Sequence, residues 1–254
     1  MIGVGKSMKF AYFINLDQRP DRLEAITLNS HILAIPLTRV SAVDAETIDK
    51  TKCTVPAAVA ACWESHQKVA RIFLESDEEH YLVFEDDVDL NSRTIESINK
   101  LCVSELDSID LLQLGFCIHS NRLSNRVRYA LQKNLVKSFG FFRILDTYLV
   151  KALLQRLYGN QFKFIPELDQ YVALATFELG SHAYIASRRF AEFILKFNTP
   201  VMIPADLALM EMSRVPEFQS FRLVVNLVEQ SDSQSSISNA ANNVLENKLN
   251  RQGR

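Results

Sequence analysis

Apolar residues fall in short runs along this chain, and the spacing within each run names the element it builds. Lys9 to Leu16, KFAYFINL, is short, aromatic and β-branched, the composition of a buried strand. Asp17 to Arg22, DQRPDR, breaks that run, and a helix is expected from there to about His31. Leu37 to Val43 is a second strand candidate. From Val55 to about Glu75 the period lengthens: Val59, Cys62, Trp63, Ala70 and Phe73 recur on one helical face. HYLVFE, from His80 to Glu85, returns to strand character and runs straight into Asp86-Asp87-Val88-Asp89. A helix over Ile95–Leu106, a strand over Ile109–Leu114, a strand over Ser181–Ala186 and a helix over Arg188–Phe197 follow. Strands alternating with helices predict an α/β fold built on a single, mainly parallel sheet flanked by helices.

Composition narrows the class. The chain has 254 residues, 48% hydrophobic and 23% charged, which fits an ordinary globular domain with a core of its own. Lys plus Arg number 28 against 30 Asp plus Glu, so general nucleic-acid binding, which needs a basic excess, is not expected. No apolar run reaches the ~20 residues of a membrane-spanning helix. The opening MIGVGKSMKF has no apolar stretch of secretory type. The 4 cysteines, at 53, 62, 102 and 117, include no CxxC pair. They read as reduced thiols of a cytoplasmic protein rather than a disulfide framework or a zinc site.

Two stretches depart from the average. Leu111 to Leu145 lacks Asp and Glu but carries Arg122, Arg126, Arg128, Lys133, Lys137 and Arg143. It is either an ordinary solvated surface or a face for an anionic acceptor or the inner membrane surface. Gln230 to Asn243 is nearly all Ser, Asn, Gln and Ala, too polar to order itself. The expected organisation is therefore an extension over 1–8, one domain over 9–237, and a mobile polar tail over 238–254.

The densest chemical signal is Glu85, Asp86, Asp87 and Asp89 at the end of an apolar strand. Ligands of open α/β sheets bind at the carboxyl ends of strands, and clustered carboxylates need a cation or protonation. Oxygen donors suit Mg²⁺ or Mn²⁺, which complete their shells with water and phosphate oxygens. The cluster thus suggests a bound diphosphate; the plainer alternative is an acidic turn capping the next helix. Asn15, Asp17, Arg19, Asp21 and Arg22 could grip a ribose, base or phosphate, or Asp17 could simply cap a helix. His66 shares the apolar face of its helix, and His182 begins a strand; each is a core residue or a ligand. Asp206 is a helix cap or a base. Gly3-Val-Gly5-Lys6-Ser7 looks like the end of a phosphate-binding loop, but the glycine and strand that such a loop needs would lie ahead of Met1. The match reads as chance.

Taken in order, FINLDQRPDR, RVSAVDA, ACWESHQKVAR, YLVFEDDVDL, GSHAYIASRRFAEFIL and IPADLALM resemble family 25 of the glycosyltransferases. That family includes lipooligosaccharide galactosyltransferases and is related to the collagen galactosyltransferase domain. The likeness spans roughly residues 9–237 and ends in VVNLVEQSDSQSSI. It implies a GT-A-like fold, a sugar-nucleotide donor (most often UDP-galactose), a glycan hydroxyl as acceptor, and inversion at the anomeric carbon. On this resemblance Glu85, Asp86 and Asp87 are the metal block for Mn²⁺ or Mg²⁺. Asn15, Asp17, Arg22, Asp44, Ser65, His66 and Tyr184 fall in the donor-binding blocks, with Gly180 beside Tyr184 in the late strand block. Asp206 is the first choice of catalytic base, with His66 or Asp86 in reserve. Leu207 stands where the family often has an acid. That departure leaves room for a non-catalytic sugar-nucleotide or glycan-binding protein on the same fold, and a metal-dependent phosphohydrolase is a more distant rival.

Overall fold

The computed structural model of the protein describes residues 8–117 and 177–231, except 29, 52, 103–105, 107–108 and 224–225, together with 156, 162–164 and 172–174. The loop-like Gly3–Ser7, residues 118–145 of the acid-free stretch, and the polar tail lie outside the described residues.

The strands are β1 (Phe10–Asn15), β2 (Leu37–Ser41), β3 (His80–Glu85), β4 (Val88–Asp89), β5 (Leu111–Gly115), β6 (Phe162–Phe164), β7 (Val172–Leu174), β8 (Ala183–Ser187), β9 (Ser220–Leu223) and β10 (Glu229–Gln230). The helices are α1 (Pro20–Thr27), α2 (Ala57–Phe73), α3 (Ser92–Cys102), α4 (Arg188–Ile194) and α5 (Ala205–Met212). Among the described residues, 8 strands form one sheet in the order β2-β1-β3-β8-β5-β9-β7-β6, and β10 pairs with β4 beside it. Strands β1, β2, β3, β5, β6 and β9 point one way, and β7 and β8 run against them. By strand direction the sheet is mainly parallel, as the alternation of elements predicts, while the reversed β7 and β8 make their pairs with β9, β6, β3 and β5 antiparallel.

Both faces of the sheet are covered, which is why its central strands read as unbroken apolar runs. Along β1, Ala11 and Phe13 face the α1 and α3 layer, while Tyr12 and Ile14 face α2, α4 and α5. Along β3, Leu82 and Phe84 take the first face and Tyr81 and Val83 the second. By this alternation Glu85, two residues after Val83, is directed at α2.

Local chemistry sets several boundaries. Pro20 opens α1, where its missing N–H costs nothing. The helix ends at Thr27, short of the expected His31, and a 3₁₀ turn takes over at Ser30–Ile32. Asp17 does not cap it; Arg19 holds that position without a side-chain bond. Ser187 caps α4 by accepting from the Phe190 amide at 3.1 Å. Asn198 adopts φ 53° after α4, and its Oδ1 accepts from the Met202 and Ile203 amides at 2.7 and 3.1 Å. That staple aims the chain into α5 and Asp206. No helix among the described residues is long and apolar enough to cross a membrane.

Candidate functional site

A cavity of about 510 Å³ opens at the carboxyl ends of β1, β2 and β3. Its walls come from Ile14 and Leu16, from Ala42–Glu46 after β2, from Arg19 and Arg22 of the α1 end, from one face of α2, and from Glu85–Asp87. Such a position is where open α/β sheets bind ligands.

The acidic block divides at this cavity. Asp86 turns toward α1: its Oδ1 accepts from Arg22 at 2.8 Å and its Oδ2 from Asn15 Nδ2 at 2.7 Å. Asp87 also meets the Arg22 guanidinium, at 3.5 Å, and Gln230 Nε2 at 3.4 Å. Both aspartates and Arg22 are buried. Burial and the charge of Glu85 push the Asp87 carboxyl up to about 6, against the pull of Arg22. Asp87 is therefore the less compensated carboxylate of the pair, its contacts long and its oxygens at the cavity wall. Asp86 and Asp87 together fit a hard divalent ion, which takes one or two protein carboxylates and leaves its other positions to water and phosphate.

Glu85 goes the other way, onto α2. Its Oε1 accepts from Ser181 Oγ at 2.5 Å and lies 3.5 Å from His66 Nε2. Burial alone would raise this carboxyl, but His66 and Ser181 outweigh it and hold it well below its usual range. His66 is wholly buried, with Nδ1 3.0 Å from the Tyr184 hydroxyl. Cys62, one turn earlier on α2, completes a trio whose ligand atoms all lie within 4.8 Å of one another. Burial, reinforced by Glu85, Asp206 and Asp87, keeps the Cys62 thiol protonated.

The other expected site residues take distinct places. Asn15 is buried at the end of β1 and is fully engaged: besides Asp86 it donates to the Arg19 carbonyl at 3.1 Å and accepts from Arg39 Nε at 2.9 Å. Asp17 stands outside the cavity wall, bound to Arg39 at 2.5 Å and Ser41 at 2.9 Å. Asp44 lines the cavity, but one oxygen caps the Ala45–Thr47 turn through the Glu46 amide at 2.9 Å, and the other accepts from Gln18 at 2.6 Å. Ser65 also lines it, its hydroxyl donating to the Ala61 carbonyl at 2.6 Å and accepting from the Val43 amide at 2.9 Å. Tyr184 sits behind the wall and reaches the site through His66. Asp206 lies in the first turn of α5, accepting from the Leu207 amide at 2.8 Å. It does not line the cavity, yet its charge acts on Cys62, which does.

His182 is a packing residue. It is buried, its Nε2 is 3.3 Å from the Val228 carbonyl, and it fills the space above Gly115. Sequence reasoning passed over Cys62, Ser181, Arg39 and Gln230. Only Cys62 left a trace, its i, i+4 spacing to His66 on a helix.

None of the curated proteins matches the chain. The family model described as glycosyltransferase family 25, LPS biosynthesis protein, matches residues 8–209, which takes in the cavity, the acidic block and most of α5. Given that span, the chain belongs to glycosyltransferase family 25, a family of lipopolysaccharide-biosynthesis glycosyltransferases.

Proposed function

We propose that the protein transfers a hexose, galactose from UDP-galactose, with inversion, to a hydroxyl of a lipooligosaccharide or other surface glycan. The observation that carries this is the cavity itself: two buried aspartates and an arginine at the carboxyl ends of β1 and β3, in a chain of this family. In the reaction the anomeric carbon–phosphate oxygen bond breaks and its electron pair leaves with UDP. The acceptor oxygen bonds the same carbon from the opposite face, and its proton passes to a base. Arg22 holds Asp86 in place and contributes positive charge beside the leaving diphosphate. Asp86 and Asp87 would hold Mn²⁺ or Mg²⁺, which neutralises that diphosphate when bound. Asp206 is the base we assign; it stands off the cavity wall, so the acceptor hydroxyl would have to lie beyond that wall to reach it. Base catalysis contributes typically ~10²–10⁴-fold. A cytoplasmic protein whose acid-free stretch over 111–145 meets an anionic glycolipid or the inner membrane face is consistent with this role.

The test is transfer from UDP-galactose to a truncated lipooligosaccharide with Mn²⁺, read as UDP release and as labelled glycan. Asp87→Asn is expected to lower transfer by about 10² or more, the scale on which single electrostatic groups act, with its urea midpoint retained. Undiminished transfer by Asp87→Asn in the presence of a chelator would falsify the metal assignment. Donor binding without any turnover would instead favour the non-catalytic binding protein.

A further inference from the structure

Asp86 and Asp87 have Arg22 as a counter-charge, whereas the α2 side of the same cavity gathers a different donor set. Cys62 and His66 stand one turn apart on α2, and the pleat of β3 brings Glu85 to that face. Helical residues at i, i+4 can share one metal ion. His66 spends Nδ1 on the Tyr184 hydroxyl, so Nε2 is left over, and it has no hydrogen-bond partner although the ring is wholly buried. It faces Glu85 Oε1 at 3.5 Å. That separation is too long for a good N–H···O bond. It is the length of a tetrahedron edge, about 3.3–3.7 Å, around an ion with bonds of ~2.0–2.3 Å.

The surroundings are those of a supported ligand set. Tyr184 orients the His66 ring and Ser181 pins Glu85, the second-layer partners that metal ligands usually have. Cys62, His66 and Glu85 all line the cavity. We propose that these three residues form a site for a zinc-class divalent ion, with its fourth position open to the cavity for water or an anionic oxygen. A thiolate, an imidazole and a carboxylate suit Zn²⁺ and disfavour Mg²⁺. The Cys62 proton is released to solvent as the metal–sulfur bond forms. The absence of a CxxC pair argues against a thiolate-rich structural site, not against this mixed open one. The proposed site shares the cavity with Asp86 and Asp87 but uses a different donor set, so it does not rest on the sugar-nucleotide reading.

The experiment strips the full chain with a chelator under reducing conditions and titrates it with Co²⁺ as a spectroscopic stand-in for Zn²⁺. The expected result is one equivalent bound with a thiolate-to-cobalt charge-transfer band, abolished by added Zn²⁺. Cys62→Ser loses the band, and His66→Gln weakens binding about tenfold or more. Asp87→Asn keeps the band while losing Mn²⁺-dependent transfer, so the two readings can fail separately. Zn²⁺ should also raise the urea midpoint of the native chain and not that of Cys62→Ser. No thiolate band in the native chain overturns the proposal and leaves a His66–Glu85 ion pair as the explanation. A band that survives Cys62→Ser overturns it too, assigning the metal to another cysteine.

Discussion

Replacing Arg22 with methionine keeps the apolar stem and removes the guanidinium 2.8 Å from Asp86 and 3.5 Å from Asp87. The three side chains are only 9%, 9% and 10% exposed, so water cannot take over its role. Asp86 would keep its bond from Asn15, and Asp87 its 3.4 Å contact with Gln230. Deleting one partner of a buried ion pair strands the other charge and costs about 3–5 kcal/mol. The protein has 1 tryptophan, Trp63, fully buried in α2, and its fluorescence reports global unfolding. With a urea m value of about 3 kcal/mol/M, Arg22→Met should lower the midpoint by about 1 M or more. If charge compensation is the cause, the loss must depend on Asp86. On an Asp86→Asn background the same change should cost far less, with a coupling of roughly 0.5–3 kcal/mol between neighbours. A midpoint shift below about 0.3 M, or an equal shift on both backgrounds, would refute the assignment of Arg22 as the counter-charge.

Asp110 accepts from Ser187 Oγ, Arg189 and the Gln219 amide, and these bonds outweigh burial to hold its carboxyl below the usual range. Its folded value lies under its unfolded one, so its stabilisation is complete above about pH 4 and is lost as pH falls through the folded value. Urea midpoints across pH 3–7 should show a steeper acid loss in the native chain than in Asp110→Asn, which should cost about 1.5–3 kcal/mol at neutrality; parallel acid limbs would contradict this. At Gly115 an added Cβ would lie 2.2 Å from His182 Nε2 and 2.5 Å from the Val228 carbonyl. Gly115→Ala should therefore cost about 1–3 kcal/mol, and His182→Ala should relieve it only in part, because the carbonyl remains; an unchanged melting temperature would show that the strand shifts freely.

Much of the scaffold was legible because its cause is local. The strands β1 and β3 are covered on both faces, so Phe10–Ile14 and Tyr81–Phe84 are apolar without interruption, and α2 carries its buried face at helical spacing over 17 residues. The sheet class and the position of the acidic block followed from those runs. β9, whose residues SFRL are buried yet include Ser220 and Arg222, gave no such signal. The reversal of β8 did not show either, since an apolar run carries no direction. The site was legible as residue types and not as partnerships. Glu85, Asp86 and Asp87 are consecutive and read as one cluster, but the pleat sends Glu85 to α2 while the turn after β3 sends Asp86 to α1. Asn15 and Arg22 meet Asp86 across 71 and 64 positions of chain, and Ser181 meets Glu85 across 96. Local spacing decided which groups were present, because propensity and periodicity act within a few residues. Tertiary packing decided which charges neutralise each other, because that depends on strand order and direction, which no short window of the chain contains.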